Sequence, residues 1–303
     1  MSKRSRRRNR QRNKPQQKKQ TPSAGTLLDI CVPIYGEFGL ARKAIEHISG
    51  ALGGLNPDHV RVYALDNGTP DWIAEDGESK VTPEEMAAPV KEVMRSVDKY
   101  FRVDINEGYP GGVNNLVSKG RSPLVLILTA DVFLQEGAIE AMVRSMDDPT
   151  VGVVGVKLLF PLDMESPHGP GGTVQHAGVA FDIRGKPYHV LIGWSTDHEK
   201  VNVRRDMAAV TGACLMTRRN LWNEIGGFDR RYGIGTFEDM DYCFSIRSLG
   251  KRVLYEPNAW GFHLVSGARL QGANQSGFNL PMNETVFRGK WAQMLAWDEW
   301  RYL

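Results

Sequence analysis

Apolar and polar positions follow a regular order in the first half of the chain. Residues 27–33 form a short apolar run that ends at Pro33 and predicts a buried strand. Residues 38–52 place Ala41, Ile45, Ile48 and Leu52 at helical spacing. Residues 60–66 predict a second strand. Thr82-Pro83-Glu84-Glu85 carries a threonine cap, a proline at the first helical position and a glutamate at the capping-box position. A helix is expected from there to about Tyr100. A third strand is expected at 101–105, a short helix at 111–119 with Gly120 past its end, a wholly apolar strand at 124–129 and a helix at 137–145. This alternation indicates an α/β fold with a mostly parallel central sheet covered by helices on both faces.

The second half is less regular. Residues 152–159 read as a strand, 166–173 as a Gly/Pro-rich loop, 183–206 as a polar insertion or flexible loop, and 208–217 as an apolar segment. A helix at 238–249 closes at Gly250, and a strand at 252–256 is expected to stop at Pro257. Residues 283–302, rich in tryptophan, read as an amphipathic helix.

Charge divides the chain in two. Of its 38 Lys and Arg, ten lie in residues 1–19, which hold no acid; the remaining 28 face 35 acids. The basic character therefore belongs to a tail, residues 1–25, whose composition predicts disorder. Such a tail suits nucleic acid or an anionic surface, or serves only to solubilise. Cys31, Cys214 and Cys243 are far apart and embedded in apolar stretches, which reads as three buried thiols in a reducing, cytoplasmic setting. No run approaches the roughly 20 apolar residues of a membrane span.

Chemistry gathers at the strand ends. Tyr35-Gly36-Glu37, Asp66-Asn67-Gly68, Asn106-Glu107-Gly108 and Asp131 each follow an expected strand. Parallel sheets bind ligands beyond those ends. Asp66 can be a turn residue or a carboxylate that accepts from a base N–H. Residues 106–112 join a strand to a helix whose first N–H groups suit a diphosphate, although they match neither a dinucleotide fingerprint nor a P-loop. Asp131 suits either a helix cap or a hard divalent cation. Glu238, Asp239 and Asp241 open a helix with more acid than capping requires; helical spacing pairs Glu238 with Asp241 and turns Asp239 elsewhere. His263, after Trp260-Gly261-Phe262, reads from its surroundings alone as structural.

These residues stand in an order that resembles the inverting glycosyltransferases of family 2, in its rhamnosyltransferase-like subgroup. ICVPIYGE resembles that family's opening, VYALDNGTPD its base-binding segment, and NEGYPGGVNNLVSKG its following helix. LILTADV stands where the family has a DxD, with Thr129 replacing the first aspartate. The longest match is TGACLMTRRNLWNEIGGFDRRY, continuing through FEDMDYCFSIRSLGKRVLYEPNAWGFH.

The resemblance implies a GT-A fold with an irregular acceptor-side second half. Its expected parts are a nucleotide-sugar-binding half over 26–150, an acceptor-binding and catalytic half over 151–275, and a helical extension over 276–303. It implies that Pro33, Tyr35 and Glu37 line the nucleotide pocket and that Asp66 binds the base. Asn106, Gly108 and Asn114 would lie near the ribose and diphosphate. Asp131 and His263 would hold Mn²⁺ or Mg²⁺. Asp239 would be the catalytic base, with Glu238 beside it for the acceptor. The implied donor is a nucleoside-diphosphate sugar, with UDP foremost. The alternatives are a non-catalytic module that binds nucleotide-sugar or nucleic acid, and a transferase whose acceptor is nucleic acid held by the tail.

Overall fold

The computed structural model describes residues 25–73, 79–264 and 279–295. The basic tail before residue 25 and the end of the expected C-terminal helix lie outside the described residues.

The strands of the main sheet are β1 (Leu28–Ile34), β2 (Val60–Asn67), β3 (Lys99–Val103), β4 (Leu124–Leu128), β5 (Val132–Leu134), β6 (Val151–Leu159), β7 (Val174–His176), β8 (Arg205–Asp206), β9 (Cys214–Arg218) and β10 (Arg252–His263). The helices are α1 (Phe38–Ala51), α2 (Pro83–Val93), α3 (Gly108–Lys119), α4 (Ala138–Ser145), α5 (Arg219–Ile225), α6 (Glu238–Ser248) and α7 (Leu280–Trp291). The sheet runs β8-β10-β6-β9-β4-β1-β2-β3, with β7 on β6 and β5 on β10. Strands β4, β1, β2 and β3 are parallel, as are β6 and β10. Strand β9 lies antiparallel between β4 and β6.

Helices cover both faces, and strand alternation decides which residues meet which layer. Leu28, Ile30, Val32 and Ile34 of β1 pack with Phe38, Ala41, Ile45 and Ile48 of α1. Cys31, pointing the other way, joins Val113, Leu116 and Val117 of α3 and the aromatic cluster of Trp222, Tyr242, Phe244 and Phe287. All three cysteines are free and buried, and burial pushes each thiol well above its ordinary range.

The capping box of α2 forms as expected: Glu85 N–H donates to Thr82 Oγ1 at 3.3 Å and Thr82 N–H to Glu85 Oε2 at 2.7 Å. The helix ends at Val93, not near Tyr100. Asp98 accepts from Arg95 N–H and Val62 N–H, both at 2.9 Å, which turns the chain into β3 two residues earlier than expected. Strand β10 does not stop at Pro257. It shifts register between Glu256 and Trp260, so the proline sits in a bulge where no ladder donor is needed, and the strand continues to His263. Residues 183–206 are more ordered than their polarity suggests. Val190 and Val201 are buried, a short 3-10 turn spans Glu199–Asn202, and Arg205–Asp206 pairs with β10.

Candidate functional site

Asp239, directly, and Asp131, through Thr129, meet one short stretch of backbone, Gly212-Ala213, just before β9. Asp239 Oδ2 accepts from Gly212 N–H and its Oδ1 from Met240 N–H, each at 2.8 Å. Tyr109 of α3 donates its hydroxyl to Gly212 O at 2.8 Å. Thr129, at the end of β4, donates its N–H to Ala213 O at 2.9 Å and its hydroxyl to Asp131 Oδ1 at 2.7 Å. Burial first, then the charges of Glu238, Asp239 and Asp131, push the Tyr109 phenol far up, which places all three acids around it.

The two acids of α6 differ in their surroundings. Burial raises the Asp239 pKa above its usual 3.8, against the pull of its backbone N–H donors. Glu238 is raised further, by burial and then by the Asp239 charge. Its Oε2 is buried with no hydrogen-bond partner among the described residues. Two carboxyls pushed apart in this way favour one ionised and one protonated group. Glu238 is the first residue of α6, directly after Thr236 and Phe237 in left-handed conformation (φ 78° and 72°). Glu238 and Asp241 are both buried, and Asp239 is half-buried. After burial, both neighbouring charges, Asp239 first, raise the Glu238 pKa.

The loop that delivers these acids is clamped from α7. Asn283 Nδ2 reaches Tyr232 O (3.1 Å), Gly235 O (2.7 Å) and Thr236 O (3.1 Å), and is 4% exposed. The clamp holds two consecutive non-glycine residues at positive φ, a costly conformation that persists only when its surroundings enforce it. Asn283→Ala is therefore expected to cost about 1–3 kcal/mol of stability by stranding buried carbonyls. A melt indistinguishable from the parent protein would mean that the loop holds itself.

Asp131 and His263 face one another, with His263 Nε2 3.3 Å from Asp131 Oδ2. Pairing of β5 with the end of β10 sets this contact, because His263 lies opposite Val132. Gln175 of β7 fixes the imidazole. Its Nε2 donates to His263 O at 2.8 Å, so its Oε1 must be the atom 2.6 Å from His263 Nδ1. Nδ1 therefore carries the ring proton and Nε2 presents a lone pair to a carboxylate oxygen. That juxtaposition is repulsive unless a proton or a cation lies between them. A carboxylate and an imidazole backed by a glutamine fit a divalent cation whose other ligands come from substrate. Among the described residues no cluster of three or more His, Cys, Asp or Glu side chains forms a self-sufficient metal cage.

Other expected residues are placed differently. Pro33 and Tyr35 stand at the end of β1, half-buried, and Glu37 precedes α1. Asp66 is fully buried. Its Oδ1 accepts from Thr69 N–H at 2.9 Å, and its Oδ2 pairs with Arg102, whose other arm reaches Thr69 O. The start of α3 is not an open diphosphate cradle. Glu107 N–H donates to Asn67 Oδ1, Gly108 N–H to Asn106 Oδ1 and Tyr109 N–H to Ile234 O. The acidic loop lies so close that a Cβ on Gly108 would sit 2.0 Å from Gly233 O. Asn114 is likewise taken up: its amide donates to Phe228 O and accepts from Phe228 N–H, at 2.8 and 2.9 Å. These residues shape the cleft by tying α3 to the loops on either side.

A mostly parallel sheet covered by helices, with acids and a histidine gathered beyond β4, is the architecture of a GT-A domain. The model of the family described as "Glycosyltransferase like family 2" matches residues 90–271, more than half of the chain. The chain belongs to that family. It is 26% identical over 263 residues to the uncharacterized protein y4gI of Sinorhizobium fredii, covering 82% of this chain and 26% of that protein. It is 29% identical over 201 residues to the O-antigen biosynthesis protein RfbC of Myxococcus xanthus, covering 63% of this chain and 14% of that one. The chain thus spans about a quarter or less of the length of these relatives. The crystal structure of GalNAc-T7 with UDP, GalNAc and Mn²⁺ shares the fold, with a TM-score of 0.61 at 13% identity over 78% of this chain and 43% of that one. Among the described residues no helix is long and apolar enough to cross a membrane.

Sequence reading missed Tyr109, Thr129, Gln175, Asn67 and Asn283 as members of this arrangement. Thr129 had a signal, as the residue standing in place of the first aspartate of a DxD. Gln175 had none, since a lone glutamine in a strand follows no pattern.

Proposed function

We propose that the chain is an inverting glycosyltransferase that moves a sugar from a nucleoside-diphosphate sugar to an acceptor hydroxyl, with Asp239 as general base. The observation that carries this reading is the gathering of Asp239 and, through Thr129, Asp131 at Gly212-Ala213 beside His263, with Glu238 adjoining Asp239. Asp239 takes the acceptor proton as the acceptor oxygen forms its bond to the anomeric carbon. The bond from that carbon to the diphosphate oxygen breaks, and the nucleoside diphosphate leaves with the electron pair. Glu238, kept protonated by burial and by its neighbour's charge, donates a hydrogen bond to the acceptor instead of competing for its proton. Alignment of the two substrates contributes much of the acceleration.

Asp131 and His263 would hold Mn²⁺ or Mg²⁺, which supplies positive charge for the departing diphosphate. GalNAc-T7, which shares the fold, was solved with Mn²⁺ and UDP. The nucleotide would lie over the ends of β1, β2 and β3, against Pro33, Tyr35 and Glu37, with Asp66 and Arg102 beside the base. A purely binding module is not favoured, because such a module has no use for two adjacent acids whose pKa values are both raised, Glu238 further than Asp239.

Chelation with EDTA should abolish transfer, and undiminished turnover after exhaustive chelation would remove the metal from the reaction. Gln175→Ala should weaken Mn²⁺ affinity by about 10–100-fold, because it frees the His263 tautomer. Titration of Mn²⁺ followed by thermal shift measures this without any assay of transfer.

A further inference from the structure

A pocket of about 370 Å³ is lined from the ends of β6, β7 and β10, with His263 among its walls. Leu158, Phe160 and Met164 form an apolar wall, and His176, His189 and Thr211 form the polar floor. Hydrogen bonding on this floor fixes where each proton sits. Thr211 N–H donates to His176 Nε2 at 3.3 Å, so that nitrogen bears a lone pair and the ring proton is on Nδ1. His176 Nδ1–H then donates to His189 Nδ1 at 2.7 Å. His189 is left with its proton on Nε2, which has no hydrogen-bond partner among the described residues, on a ring exposed to the pocket. Desolvation of the imidazole by the surrounding side chains lowers the His189 pKa to about 4, which favours the neutral ring. Burial does the same more strongly for His176.

We propose that this pocket receives the acceptor as an uncharged sugar ring, with His189 Nε2–H donating to one of its hydroxyls. The assignment rests on the glycosyltransferase reading above. Position supports it in two ways. Thr211 adjoins Gly212, whose N–H holds Asp239, so a ring in the pocket has the base at its inner edge. His263 also borders the pocket while its Nε2 faces Asp131, so the diphosphate and the acceptor would meet the histidine from opposite sides. Chemistry supports it as well. The apolar wall suits the C–H face of a sugar, and neutral imidazoles suit its hydroxyls. The described lining holds no lysine or arginine to neutralise a phosphate. The volume lies at the small end of the roughly 300–1,000 Å³ range of ligand pockets.

The test uses the full chain with the donor that it hydrolyses, and offers methyl hexosides and the matching sugar 1-phosphates as acceptors. Neutral glycosides should be accepted in preference to the phosphates. His189→Asn keeps an oxygen where Nδ1 meets His176 and removes the outward N–H. It should raise the acceptor KM about five- to tenfold and leave donor KM and donor hydrolysis unchanged. His189→Gln, which returns an N–H near the position of Nε2, should recover part of the loss. Preference for sugar phosphates, an unchanged acceptor KM in His189→Asn, or a raised donor KM in its place would each overturn the assignment; the last would give the pocket to the donor's sugar. Absence of donor hydrolysis in the parent chain across a nucleotide-sugar panel is a separate failure, that of the glycosyltransferase reading itself.

Discussion

Asp239→Asn is expected to lower sugar transfer by about 10²–10⁴-fold, the usual range for loss of a general base. The fold should survive, because asparagine still accepts one of the two backbone N–H bonds that hold the side chain. Transfer near the parental rate in a folded Asp239→Asn protein would end the assignment. The pH profile adds a second reading. The base acts as a carboxylate, so the rate should climb as pH rises through the Asp239 pKa, which burial places above 3.8. The rate should fall again where Glu238, raised further, loses its proton. Glu238→Gln should erase that descending limb and leave the ascending one. The stability contribution has the opposite sign from an ordinary ion-paired carboxylate. The folded state holds these protons to higher pH than the unfolded chain. The pair's contribution is therefore most favourable in acid and declines as pH rises past the ordinary carboxylate range.

Asp241→Ala is expected to cost about 3 kcal/mol, the largest stability effect among the acids of α6. Asp241 is 3% exposed and accepts from Trp291 Nε1 at 2.7 Å, Tyr232 Oη at 3.1 Å and Lys290 Nζ at 2.8 Å. Its removal strands two buried donors and unpins α7. The value stays near the low end for a broken buried pair because Lys290 is one-third exposed. Urea unfolding measures it; a midpoint shift worth less than about 1 kcal/mol would show that Phe287 and Trp291 hold α7 by apolar contact alone. Because Asn283 sits on the same helix, the acid clamp should loosen along with it.

How much of this was legible in the sequence depended on the range of the interactions involved. Strands β1, β2 and β4 were legible because each is a short apolar run, and the start of α2 was legible because its cap is encoded within four residues. The end of α2 was not, since Asp98 captures Arg95 together with Val62, on a strand 36 residues away. Passage of β10 through Pro257 depends on a register shift against β6 that no local pattern announces. The site divides along the same line. Asp131, Glu238 and Asp239 stood out by residue type and by likeness to a family, and His263 by that likeness alone. At the helix start of 106–112, the N–H groups of Glu107 and Tyr109 look open in sequence and are taken by Asn67 and by Ile234, which fold back from elsewhere. Gln175 acts on a histidine 88 residues away and became visible only in three dimensions.

Strand β9 has a consequence for how the protein is made. Residues 214–218 slot between β4 and β6, two strands buried along their whole length. Until the ribosome has delivered Arg218, both neighbours carry raw apolar edges with unpaired backbone groups, the template on which chains stick to one another. The nascent protein therefore passes through a long window in which its N-terminal half is sticky and unfinished. Cutting the gene at residue 150 to express that half alone would make the window permanent.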